Sequence, residues 1–106
     1  MEKYKYFISK TIVELDIDGS VSTSSIEGVG SFITFEDAMI AARALCEQAT
    51  YVDLGIPNRI TGFSVSICDS LTATGLTFAT RHTPKYIKAL RGHGPVYVGR
   101  IFGTEL

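Results

Sequence analysis

Acidic residues are missing from the C-terminal part of this chain. Between Ser70 and Thr104 there is no aspartate or glutamate, whereas five bases (Arg81, Lys85, Lys88, Arg91 and Arg100) and both histidines, His82 and His93, fall there. Residues 11–57 show the reverse shortage. They hold one base, Arg43, against eight acids: Glu14, Asp16, Asp18, Glu27, Glu36, Asp37, Glu47 and Asp53. A formal net charge of −1 conceals this separation. It matters because a local excess of one sign decides which partners approach, and at which surface.

Long apolar runs are missing too. No stretch reaches the roughly 18 apolar residues that a membrane-spanning helix requires. Phe7-Ile8 is followed at once by Ser9-Lys10, so no secretory apolar region forms behind Lys3 and Lys5. Cysteine is scarce: Cys46 and Cys68 are the two thiols, without a CxxC pair or zinc-like spacing. The expectation is a cytoplasmic protein with reduced, mostly buried cysteines.

Signatures of catalysis and cofactor binding are equally wanting. Gly28-Val29-Gly30 does not continue into a dinucleotide fingerprint, and no Gly-Lys-Ser/Thr phosphate loop occurs. Gly92 and Gly94 read more simply as a helix stop and a turn before Pro95. His82 and His93 stand eleven positions apart, too far for a helical metal pair, and no acid lies near them in sequence. Neither cysteine has a neighbouring base that would activate it. The serines of residues 20–25 lack a Gly-x-Ser-x-Gly setting. Glu14, Asp16 and Asp18 share a strand face but read as solvated hairpin residues rather than a calcium site. No catalytic residue, metal or cofactor is assigned on these grounds.

What is present suffices for one folded domain. The chain has 106 residues, 45% of them hydrophobic, with six Phe and five Tyr, enough to fill a core. Tyr4, Tyr6 and Ile8 alternate with Lys3, Lys5 and Phe7, and read as a strand. Thr11, Val13, Leu15 and Ile17 continue the alternation with the phase slipped from even to odd positions. A period of two absorbs such a slip through a bulge or bend, expected around Ser9-Lys10. Asp18-Gly19 then predicts a tight hairpin turn. The returning strand over 20–26 is rich in Ser and Thr, which suggests a solvated edge or one covered by another subunit.

Gly28-Val29-Gly30 reads as a loop before the clearest element of the chain. Thr34 is a good N-cap for a helix starting at Phe35, with Glu36 and Asp37 near the positive end of its dipole. Phe35, Ala38, Met39, Ala42, Leu45, Cys46 and Ala49 form its core stripe. Ile40, Ala41 and Ala44 lie off that stripe, as ordinary surface or as a subunit contact. Residues 51–58 read as a connecting loop. Phe63, Val65 and Ile67 alternate with Ser64, Ser66 and Cys68 in a second firm strand. After a turn over 69–74, Leu76 and Phe78 sit in another. Thr83-Pro84 and Gly92 bound a short helix over 84–91. Val96, Val98 and Ile101 close the chain as a strand.

The order ββ-β-α-β-β-α-β predicts an α+β fold: an antiparallel sheet of about five to six strands with two helices packed on it. Residues 20–102 are compatible with a ferredoxin-like βαββαβ core carrying an N-terminal strand extension.

The basic segment is the one candidate binding site. On the short helix Lys85, Lys88 and Arg91 are three apart on a broad face, while Ile87 and Leu90 turn inward. Arg81, His82 and Thr83 precede it, so the free N–H groups of the first turn point where two cationic side chains also gather. Arg100 follows on the last strand. These seven residues make a plausible anion site; a solvated amphipathic helix is the plain alternative. Nucleic acid is disfavoured by the acidic first half and a pI near 6.1. The expected class is a non-enzymatic, self-assembling binding protein that takes a protein partner or a small phosphorylated, nucleotide-like anion. Its candidate interfaces are the strand over 20–26 and the outer face of the first helix. Small domains of this kind are common among phage and mobile-element accessory proteins, an association of class that these residues do not themselves display. The competing class is a small enzyme on an anionic substrate, with His82 or His93 as acid/base.

Overall fold

The computed structural model describes residues 5–67, 73–92 and 100–103, the last group and 73–75 by backbone alone. Strand β1 (Tyr6–Leu15) turns into β2 (Val21–Phe32), which leads into helix α1 (Phe35–Leu54). Strands β3 (Arg59–Ile67) and β4 (Ala73–Ala79), helix α2 (Pro84–Gly92) and strand β5 (Arg100–Gly103) follow. The sheet order is β2-β1-β3-β4-β5. The first four strands pair antiparallel, and β5 joins β4 in parallel. Parallel pairing is what a helical crossover between neighbouring strands imposes. The α+β class therefore stands, around a four-stranded antiparallel sheet. The ferredoxin-like order is not seen among the described residues: it would set β2 between β4 and β5, whereas β2 lies at the edge beside β1.

The slipped phase in β1 has a different origin from a bulge in that strand. β1 runs unbroken from Tyr6 to Leu15 and pairs with β3 in continuous register from Tyr6↔Ile67 to Glu14↔Arg59. Its even and odd side chains point to opposite faces, and both faces are covered at different places. Ile8 packs with Phe63, Val65, Leu76 and Phe78 beneath Ala38, Ala42 and Cys46 of α1. Val13 and Leu15 pack with Ile60 and Ala79 beneath Leu90 of α2. Register and pleat thus put the two helices on opposite faces of the sheet. Apolar residues shift phase along β1 because the covering helix changes. The irregularity near Ser9 is real but lies on β2, where Val29 is the extra residue between Ile8↔Gly30 and Ser9↔Gly28.

Double coverage also accounts for β3, where Ser64 and Ser66 are as buried as Phe63 and Val65. The Ser64 and Thr77 hydroxyls satisfy each other at 3.0 Å. Cys68 lies outside the described residues, as do His93, Val96, Tyr97, Val98 and residues 69–72. Thr74 belongs to β4 rather than to a turn.

Both helices start where the sequence places them, and one helix does not end there. The Thr34 hydroxyl accepts the Asp37 N–H at 3.1 Å, capping α1. The residues expected as a loop from Tyr51 onward instead complete α1 to Leu54, with Thr50 and Asp53 buried on its inner face. Gly28-Val29-Gly30 is likewise strand rather than loop, its glycines accommodated on either side of the bulge. At the hairpin, Gly19 takes φ +88° and donates to the Asp16 carbonyl at 2.9 Å. The Asp18 carboxylate accepts from the Ser20 N–H and hydroxyl at 2.9 and 2.6 Å, which holds its own pKa below the usual range.

Candidate functional site

The basic segment begins where β4 leaves the sheet beside the C-terminal end of α1. Arg81 is buried there, its guanidinium directed into the protein. Its Nη2 donates to the Asp53 carbonyl at 2.7 Å, and its Nη1 donates to the Pro57 carbonyl. The Tyr86 hydroxyl donates to the same Pro57 oxygen, and the Tyr86 ring centroid lies 5.1 Å from the guanidinium. One residue earlier, the Thr80 hydroxyl donates to Asp53 Oδ2 at 2.6 Å and accepts the Thr61 N–H at 3.0 Å. These bonds knot the end of α1 to β3, β4 and α2. The last turn of α1 contains no base of its own. Arg81 supplies the positive charge that a helix C-terminus favours.

The remaining site residues do not gather around Arg81. His82 Nε2 and Thr83 Oγ1 are shut away from solvent without a hydrogen-bond partner. Thr83 starts α2 through its carbonyl, which accepts the Ile87 N–H at 3.0 Å, so the expected side-chain cap is not made. Lys85 leans over the Tyr86 ring, its Nζ 5.7 Å from the centroid. Its Cε also stands 3.9 Å from where a Cβ on Gly19 would be, which brings the lysine stem to the acidic hairpin turn. Lys88 and Arg91 are exposed on the outer face of α2, and Leu90 is inward as the spacing predicts. Arg100 opens β5 opposite Leu76, but its side chain lies outside the described residues.

Other polar groups serve the sheet. Glu14 and Arg59 face each other across β1 and β3, with Arg59 Nη2 and Nε donating to Glu14 Oε2 at 2.7 and 3.0 Å. Thr23 of β2 donates to Glu14 Oε1 at 3.0 Å, so one carboxylate joins three strands. The Arg59 and Thr23 hydrogen bonds hold its pKa below the usual carboxylate range. Burial pushes the Cys46 thiol up to about 11, which leaves it protonated and unreactive at neutral pH. Among the described residues no cluster of three or more His, Cys, Asp or Glu side chains could hold a metal ion, and no helix is long and apolar enough to cross a membrane.

Two surfaces stand out instead. β2 is an edge of the sheet, as its composition suggested, and residues 22–28 are all exposed. On α1, Ile40, Ala44, Tyr51 and Leu54 form a second, outward stripe; Tyr51 is 79% exposed and Leu54 58%. The sequence places Ile40 and Ala44 there, misplaces Ala41, which is half-buried against the core, and loses the other two by ending the helix early. Continuing the spacing through Tyr51 and Leu54 was the signal that would have found them. No family model, no curated protein and no solved structure matches the chain.

Proposed function

We propose that this chain is a small non-enzymatic binding protein that engages a protein partner along the free edge of β2. The observation that carries this reading is the uninterrupted exposure of residues 22–28 on an edge strand of 12 residues. An edge strand presents a row of main-chain donors and acceptors, and proteins that stay monomeric usually blunt it with lysine, proline, bulges or a very short length. The shifts at Ser22 and Val29 leave residues 23–28 regular between them. β2 contains no lysine, arginine or proline, and its single acid, Glu27, is already paired with Lys10 of β1 at 3.7 Å. Adding a strand there gains main-chain hydrogen bonds, and alternate side chains supply selectivity.

The geometry supports the edge above the basic segment. Two Arg81 donors engage internal carbonyls, and Lys85 rests against Tyr86 and the hairpin turn. Lys88 and Arg91 are exposed on the outer face of α2, and charges in full solvent bind anions weakly. His82 Nε2 is closed to solvent, which disfavours the acid/base role an enzyme reading needs.

Native mass spectrometry of the protein isolated from its own cells tests the reading. A complex with a protein partner is expected. It should be lost in Ser24→Lys and Ile26→Lys, which put a charge on the edge, and kept in Lys88→Ala/Arg91→Ala. The opposite pattern would transfer the function to the basic segment.

A further inference from the structure

We infer that the occupant of the β2 edge is a second copy of this chain, paired antiparallel about a two-fold axis near Ile26; this rests on the edge-binding reading above. A closed dimer brings one surface patch against itself, and for a sheet edge that means antiparallel pairing of β2 with β2. Three exposed isoleucines fit that operation. Ile26, 54% exposed, lies near the middle of the strand, Ile17 is fully exposed in the turn at one end, and Ile33 is 39% exposed just past the other. The two-fold sets Ile26 beside its own copy. It also carries the turn holding Ile17 to the far end of the second strand, where Ile33 and the 37% exposed Phe35 stand. The exposed apolar side chains along and beside β2 thereby meet one another, while the outward stripe of α1 stays outside the contact.

Charge selects the same arrangement. Parallel pairing in register would stack the Asp16 and Asp18 turns of the two copies, whereas the two-fold sends them to opposite ends. With Ile26 opposite Ile26, Glu27 faces Ser25 of the other copy, and Lys10 at 3.7 Å already compensates its charge. The shifts at Ser22 and Val29 leave residues 23–28 as a regular run between them, in unbroken pairing with β1. Its outward groups are free among the described residues. The contact is polar apart from its isoleucines, the composition of an interface that forms and dissociates rather than a permanent core.

Sedimentation velocity over low to high micromolar concentrations reads the outcome. The wild type should convert from monomer to dimer, and Ile26→Lys should stay monomeric with an unchanged circular dichroism spectrum. In a Cys68→Ser background, Ile26→Cys should form a covalent dimer under mild oxidation, since the axis sets that position against itself. Ile40→Cys on the outer face of α1 should not. A wild type that remains monomeric, a dimer indifferent to Ile26→Lys, or stronger cross-linking at Ile40 would each overturn the proposal. A monomer that still loses a different protein partner on Ile26→Lys would overturn the dimer and leave edge binding standing. A dimer and partner complex both indifferent to that change would remove both.

Discussion

Arg81 Nη2 donates to the carbonyl oxygen of Asp53 at 2.7 Å, so the first base of the basic segment closes the last turn of α1. The residues are far apart in sequence, and the acceptor is main chain. That contact changes what the charge separation along the chain means. The first base of the segment is part of the scaffold, and among its described side chains the exposed positive charge is that of Lys85, Lys88 and Arg91, with Lys85 drawn toward the hairpin turn.

Replacing Arg81 should therefore unfold before it unbinds. Arg81→Met removes two charge-assisted hydrogen bonds and the charge at a helix C-terminus, a loss of about 2–4 kcal/mol. Arg81→Lys should recover only part of it, because an ammonium cannot fork between the Asp53 and Pro57 carbonyls. Urea denaturation at neutral pH checks this: the midpoint falls in both variants, further in Arg81→Met, with little change in slope. A variant within about 0.5 kcal/mol of wild type, the range of ordinary surface changes, would show that the clamp is idle. Any loss of ligand affinity in an Arg81 variant has to be read against this destabilisation.

The sequence signals that survived were local ones. Thr34 before Phe35, Thr83-Pro84 before α2 and Gly92 at its end are decided by groups within one turn, and the structure places both helices there. The polar composition of β2 likewise marked an edge. What misled was information held across the sheet. The phase slip in β1 records two helices covering opposite faces, which one strand's alternation cannot distinguish from a bulge. Residues from Tyr51 onward looked like a loop because Gly55 and Pro57 follow closely, yet Asp53 is buried in helix, accepting from Thr80 just past the end of β4. Arg81 resembled a ligand-binding base because its acceptors, two carbonyls, leave no trace in residue type.

The Glu14–Arg59 pair gives stability a sign on the pH axis. Hydrogen bonds from Arg59 and then Thr23 lower the Glu14 pKa from its ordinary 4.5. A carboxylate depressed in the folded state contributes stability that is fully present above its unfolded pKa and is lost as pH falls through the folded one. Wild type should thus exceed Glu14→Gln in stability at pH 7, and the gap should close on acidification below about pH 4, the range where an unfolded glutamate titrates. Thermal melts of both proteins from pH 7 to pH 3 measure it. A gap that stays constant with pH would mean the carboxylate charge is not what joins β1, β2 and β3.

Gly62 tests whether α2 is seated on the sheet as tightly as its register implies. A Cβ there would lie 2.7 Å from Leu90 Cδ2, 2.9 Å from Cδ1 and 3.3 Å from Cγ. Leu90 is fully buried, enclosed with Val13, Leu15, Ile60 and Ala79, so the clash is not relieved by swinging into solvent. Gly62→Ala should cost about 1–3 kcal/mol by overpacking, and Leu90→Ala about 2–5 kcal/mol by opening a cavity. Together they should cost less than the sum, because the added methyl occupies part of the space that leucine vacates. Residues in contact commonly show such coupling at about 0.5–3 kcal/mol. A double-mutant cycle from denaturation midpoints gives the coupling directly. Strict additivity would show that Leu90 does not rest on Gly62, and with it the assignment of α2 to the face opposite α1 would fail.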